Sequence, residues 1–169
     1  MKTLFLIRHA KSSWDDPALP DKDRPLNDRG RRDAPKMAKR LAKRVVMPDL
    51  ILSSPARRAL TTAEIIAKKL KYKRKDIVVE DRLYSGAGHD QLKVIQKLDD
   101  KLDRVMLFGH NPKLTELAHY LSSEITHMPT CAVAEFVFSA GSWSNIGKGK
   151  LAKVALDCPK KSKGKASRQ

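Results

Sequence analysis

Three short apolar runs, Thr3 to Ile7, Leu50 to Leu52 and Val105 to Phe108, each stop at a polar segment and are each followed by apolar residues at helical spacing. After the first run Ala34, Met37, Ala38, Leu41 and Val45 recur on one helical face; after the second, Ala59, Thr62, Ala63, Ile66 and Leu70; after the third, the period resumes over Lys113 to Leu121. This alternation is the strongest constraint on the fold, because strands joined through helices favour a parallel sheet covered on both faces. Ile77 to Val79 reads as a further short strand and Asp90 to Leu98 as a helix. Val133 to Phe138 and Leu151 to Leu156 flank a Gly-rich turn, Gly141 to Gly149, which is a hairpin-like signal. The expected architecture is α/β: a three-layer α/β/α sandwich with a mostly parallel central sheet and an antiparallel edge strand.

Local signals place the element ends. Asn27 is the expected N-cap of a helix reaching about Arg44, within which Pro35 either kinks the helix or marks its first turn. Ser54 followed by Pro55 is a start signal for the next helix, with Ser54 capping and Pro55 at the first helical position. Ser12 to Pro25, which holds three prolines, should be irregular and exposed. Residues 1–158 form one expected domain, and 159–169, rich in Lys, Arg, Ser and Gly, a basic and disordered tail.

Of 169 residues, 41% are apolar and 32% charged, too apolar for global disorder and too charged for a membrane protein. Arg8 cuts off the run Leu4 to Ile7, so neither a leader's apolar region nor a spanning helix is expected, and the expected address is cytoplasmic. Cys131 and Cys158 stand far apart with no metal-ligand spacing, which favours two buried free thiols over a disulfide framework or a zinc site. A net charge of +16 favours acidic partners. Aromatic residues at 5% provide no stacking platform, so no specific nucleic acid partner is expected.

In parallel α/β sheets, ligands bind where loops leave the carboxyl ends of the strands. Here those ends carry Arg8-His9, Ser53-Ser54-Pro55-Ala56-Arg57-Arg58 and Gly109-His110. If the sheet is parallel these ends lie side by side, and two histidines and at least two arginines are expected in one pocket. Arginine presents a planar fork of donors that matches phosphate oxygens, and a neutral imidazole attacks phosphorus when one ring nitrogen is free and the other is held. Such a pocket needs no metal or other cofactor to transfer a phosphoryl group.

Arg8-His9-Ala10-Lys11-Ser12-Ser13-Trp14 resembles the Arg-His-Gly motif of the histidine phosphatase superfamily, which includes the cofactor-dependent phosphoglycerate mutases. Arg24-Pro25-Leu26-Asn27-Asp28-Arg29-Gly30, Ser53-Ser54-Pro55 with Arg58-Ala59-Leu60-Thr61-Thr62-Ala63, and Gly109-His110-Asn111-Pro112 follow in the family's order. The short length and the Arg-His-Ala start are similar to the SixA-type phosphohistidine phosphatase branch. The resemblance implies that His9 takes the phosphoryl group, that Arg8 and Arg58 hold its oxygens and that His110 completes the pocket. The Arg-Ala-x-x-Thr-Ala register favours Arg58 over its neighbour Arg57. Ser12 falls where relatives place a small hydroxyl near the phosphate, and Asp81 is the match for a general acid. Two departures are visible: Ala10 replaces the usual Gly, and Asp15 stands where the mutases have Asn.

The expected activity is that of a metal-independent phosphatase with a phosphohistidine enzyme intermediate, acting on phosphohistidine of a signalling or phosphotransfer protein. SixA-like members often lack the general acid, which suits a phosphoramidate substrate, because its leaving group departs as imidazole and needs less protonation than an alkoxide. Two alternatives stand beside it, a small-molecule phosphomonoester phosphatase and a non-catalytic binder of acidic partners. A monomer with no membrane partner is expected, and His89, His119 and His127 are expected to take no part in catalysis.

Overall fold

The computed structural model describes residues 1–87 and 89–160, in which six strands form one sheet. In chain order the elements are β1 (Lys2–Arg8), α1 (Asp28–Lys43), β2 (Leu50–Ser53), α2 (Arg57–Lys69), β3 (Val78–Val79), α3 (Arg82–Ser85), α4 (Asp90–Gln96), β4 (Arg104–Gly109), α5 (Lys113–Leu121), β5 (Val133–Phe138) and β6 (Leu151–Asp157). The sheet order is β3-β2-β4-β1-β5-β6. The first four strands are parallel, and β5 runs antiparallel to both β1 and β6. The reversed strand therefore lies one in from the edge, with β6 outside it. The expected basic tail, 159–169, lies outside the described residues from 161 onward, while Pro159 is buried and its carbonyl accepts from Arg40.

Strand periodicity of two divides the core. Leu4 and Leu6 point into one apolar cluster with Leu107, Val94, Ile95, Leu114 and Leu117, whereas Phe5 and Ile7 join Met106, Phe108, Met37, Leu41 and Ile66 in the other. Helices α1 and α2 therefore cover one face, and α3, α4 and α5 the other. Among the described residues no helix is long and apolar enough to cross a membrane.

Several local signals resolve. Asn27 caps α1 through its side-chain oxygen, which accepts from the Gly30 amide at 2.9 Å. The helix begins at Asp28 and runs through the outward-facing Pro35, which therefore lies beyond its first turn. Gly30 permits a close crossing, because a Cβ there would meet the Lys11 carbonyl oxygen at 2.2 Å. The start of α2 is corrected by two residues: Ala56 precedes the first helical residue, Arg57, and no side chain caps it. Ser54 instead accepts from the Ala56 amide at 3.1 Å, in a turn that leaves the strand before the helix begins. Of the two thiols expected to be buried, Cys131 is, but Cys158 is only half-buried because it follows the last residue of edge strand β6.

Candidate active site

Sheet register assembles the site. Arg8 lies opposite Gly109 across β1 and β4, and Ser53 lies opposite Phe108 across β2 and β4. The next residues of the three strands, His9, Ser54 and His110, are thus neighbours although they are distant in sequence. Backbone bonds continue the pairing past the strand ends, from His9 N to the Gly109 carbonyl at 3.2 Å and from Ser54 N to the Phe108 carbonyl at 3.0 Å. A third comes from Cys131, whose amide donates to the His9 carbonyl at 3.0 Å while its own backbone is held at φ 61°. That left-handed conformation is uncommon for a residue with a Cβ and is held here by buried surroundings.

His9 is buried, and its Nδ1 lies 2.7 Å from the Ala10 carbonyl oxygen. A carbonyl only accepts, so Nδ1 carries the proton and Nε2 keeps a lone pair. Burial, then the nearby His110, Arg58 and Arg8, hold the imidazole down to about 3, overriding the opposing effect of the Ala10 bond. At neutral pH this ring is uncharged and held in one tautomer. His110 stacks against it with ring centroids 5.1 Å apart and planes tilted by 52°. It too is held low, at about 4, by burial and then by the charge of Arg58. Its Nε2 lies 2.7 Å from Ser54 Oγ.

Arg58, on the first turn of α2, is buried and donates to the Asp21 carbonyl at 2.7 Å and to the Asp21 carboxylate at 2.9 Å. Its neighbour Arg57 is exposed. Arg8 reaches the Met128 carbonyl with Nη1 at 3.0 Å. Thr62 links the two basic elements: its hydroxyl accepts from the Ala10 amide at 3.0 Å and donates to the Arg58 carbonyl at 2.7 Å.

Ser12 is buried, and its hydroxyl accepts from Arg24 at 2.6 Å. Asp81 sits at the exposed start of α3 with no capping bond from its side chain. The carboxylate drawn into the cluster is Asp21. It accepts from Arg58, from the Tyr84 hydroxyl at 2.8 Å and from Arg24 at 3.0 Å. Burial opposes its ionisation, but these three donors outweigh it and hold the carboxyl at about 2, which excludes Asp21 as a proton donor at neutral pH. Sequence reasoning missed Asp21, Arg24 and Tyr84. Arg24 is buried beneath the exposed Trp14, its guanidinium 3.2 Å from the ring centroid. The only available signal was the position of Arg24 in the Arg-Pro-Leu-Asn segment.

Two buried nitrogens of this cluster, Arg8 Nε and His110 Nδ1, have no hydrogen-bond partner among the described residues. Buried groups of this kind are ordinarily paired, and an arginine nitrogen can only donate, so the cluster keeps hydrogen-bonding capacity for an acceptor. A model of the histidine phosphatase superfamily, branch 1, matches residues 4–90. The chain belongs to this family. It is 33% identical over 150 residues to an uncharacterised chloroplastic protein of Arabidopsis thaliana, covering 84% of this chain and 69% of that one. Among solved structures it resembles the protein histidine phosphatase SixA complexed with tungstate, at TM-score 0.78 and 25% identity over 93% of this chain and 97% of that one. It also resembles a protein assigned as the phosphohistidine phosphatase SixA of Agrobacterium tumefaciens, at TM-score 0.76 and 28% identity over 91% and 97%. Family and neighbours support phosphatase chemistry and a SixA-type branch.

Proposed function

We propose that this protein is a metal-independent phosphohistidine phosphatase that passes the phosphoryl group through His9. The reading rests on one observation above the others: the Ala10 carbonyl fixes the proton of His9 on Nδ1, which leaves Nε2 as a buried, uncharged nucleophile beside Arg8, Arg58 and His110. In the first step the Nε2 lone pair forms a bond to phosphorus. The phosphorus–nitrogen bond of the substrate breaks, and its electron pair returns to the departing imidazole, which takes a proton from solvent. In the second step a water oxygen attacks phosphorus and gives a proton to solvent, and the Nε2–phosphorus bond breaks with its electron pair returning to Nε2, restoring neutral His9 and releasing inorganic phosphate. Arg8, Arg58 and His110 stabilise the charge on the equatorial oxygens in both transfers.

The same chemistry favours the phosphoramidate substrate. Imidazole is a far better leaving group than an alkoxide, and of the two candidate carboxyl groups Asp21 is held ionised while Asp81 sits on the exposed start of α3. The test is incubation of the pure protein, with EDTA present, with a phosphohistidine protein, a phosphohistidine peptide and a panel of metabolite phosphates. Faster turnover of the phosphohistidine substrates by orders of magnitude is expected. Preference for a metabolite overturns the substrate class, and abolition by EDTA overturns the metal-independent mechanism.

A further inference from the structure

Sequence reasoning assigned Ser54 no chemical role of its own, yet its hydroxyl lies 2.7 Å from His110 Nε2 and the residue is fully buried. Its hydrogen bonds can be counted completely. The oxygen accepts the Ala56 amide at 3.1 Å and lies 2.7 Å from His110 Nε2, and no other partner reaches it among the described residues. A serine hydroxyl holds one hydrogen, and Ala56 is a donor, so Nε2 is the one acceptor available to that hydrogen. If Nε2 instead carried the ring proton, the Ser54 hydrogen would be buried without an acceptor, a state that costs free energy.

We infer that Ser54 is a positioning residue that sets the tautomer of His110, donating to Nε2 so that the ring proton resides on Nδ1. That nitrogen is buried and unpartnered. His110 then enters the reaction as a neutral N–H donor toward the phosphoryl oxygens. In the other tautomer Nδ1 would turn a lone pair toward those oxygens and repel them. The two histidines are thus held alike at Nδ1, each protonated there, but by different means: His9 by an acceptor placed on Nδ1, His110 by a donor placed on Nε2. The difference leaves His9 with a lone pair to spend and His110 with a hydrogen to spend. The catalytic consequence rests on the proposed function, whereas the tautomer itself does not.

The test uses the full chain labelled with ¹⁵N at histidine, observed through the two-bond proton–nitrogen correlations of His110 near neutral pH. The wild-type protein is expected to show Nδ1 protonated and Nε2 bare. An Nε2-protonated or tautomer-averaged ring overturns the inference before any variant is made. In Ser54→Ala the preference is expected to be lost, and in Ser54→Thr, which keeps the hydroxyl, it is expected to return. An unchanged tautomer in Ser54→Ala also overturns the inference. In that variant kcat/KM on a phosphohistidine peptide should fall by about ten- to a hundredfold through misorientation of one oxyanion donor. A tautomer that changes while turnover does not would leave the assignment standing and contradict the catalytic reading of His110.

Discussion

At the start of β1 the buried ammonium of Lys2 meets three acceptors, the carbonyls of Asp100 and Leu102 and the carboxylate of Asp103, and the neighbouring Trp143 spends both its nitrogens on Asp100 and Leu102. Seven residues on, the same strand delivers Arg8 and His9 into a cluster that keeps two buried nitrogens without partners among the described residues. One end of the sheet has closed its polar accounts and supplies stability. The other holds cationic and donor groups together with capacity left over, an arrangement that favours an incoming anion at some expense to the empty fold. The comparison teaches that burial of charge alone does not distinguish the two ends; the gathering of cationic side chains together with unpartnered nitrogens does.

The largest way to separate the two ends is His9→Ala. Steady-state assays should show turnover of a phosphohistidine substrate falling by roughly ten-thousandfold or more, because the covalent route is gone. The thermal midpoint should stay level or rise, since a buried imidazole is removed. Substantial residual turnover would refute the nucleophile assignment. The opposite behaviour is expected at the far end. Trp143→Ala removes a fully buried indole and should cost about 3–5 kcal/mol in chemical denaturation, while kcat/KM per folded molecule stays unchanged.

pH distinguishes the ends next. His9 and His110 titrate near 3 and 4 in the folded protein, below the ordinary 6.5. Between pH 6.5 and about 3 the unfolded chain therefore binds more protons, so this contribution to stability is complete above 6.5 and is lost as the pH falls. Replacing both rings by Gln should flatten that part of the denaturation profile, and a slope that survives the double variant would show that other groups produce it. Activity should persist to about pH 5 and decline as His110 and then His9 gain protons. The smallest effect belongs to Gln91, fully buried behind Gly109 with both amide atoms unpaired. Gln91→Met, similar in volume, should stabilise the fold by about 1 kcal/mol in urea titration, and destabilisation would mean that the amide has a structural partner.

Much of this contrast was legible in the chain. Apolar runs broken by Arg8-His9, by Ser53-Ser54 and by Gly109-His110 disclose strands whose polar residues begin where the strands end, and parallel register does the rest. Ser54 was misread as a helix cap because Ser-Pro after a strand looks the same whether the hydroxyl serves a helix or a neighbouring histidine. Asp21 was invisible for another reason. Its position between prolines in an irregular segment carries no periodicity, and its pairing with Arg58 spans 37 residues. The match at Asp81 pointed to an exposed carboxylate, while Tyr84 three residues later reaches the cluster. The antiparallel pairing at the sheet edge was legible in the hairpin signal, which fixes pairing between two strands but not which of them, β5, joins the parallel sheet.

The most direct measurement is to quench turnover with alkali, digest the protein and locate the trapped phosphorus by mass spectrometry and ³¹P NMR. The account predicts one phosphorylated residue, His9, modified at Nε2. Phosphorus on Nδ1 of that ring, on His110 or on any other side chain, or hydrolysis with inversion at phosphorus and no covalent species, would contradict it.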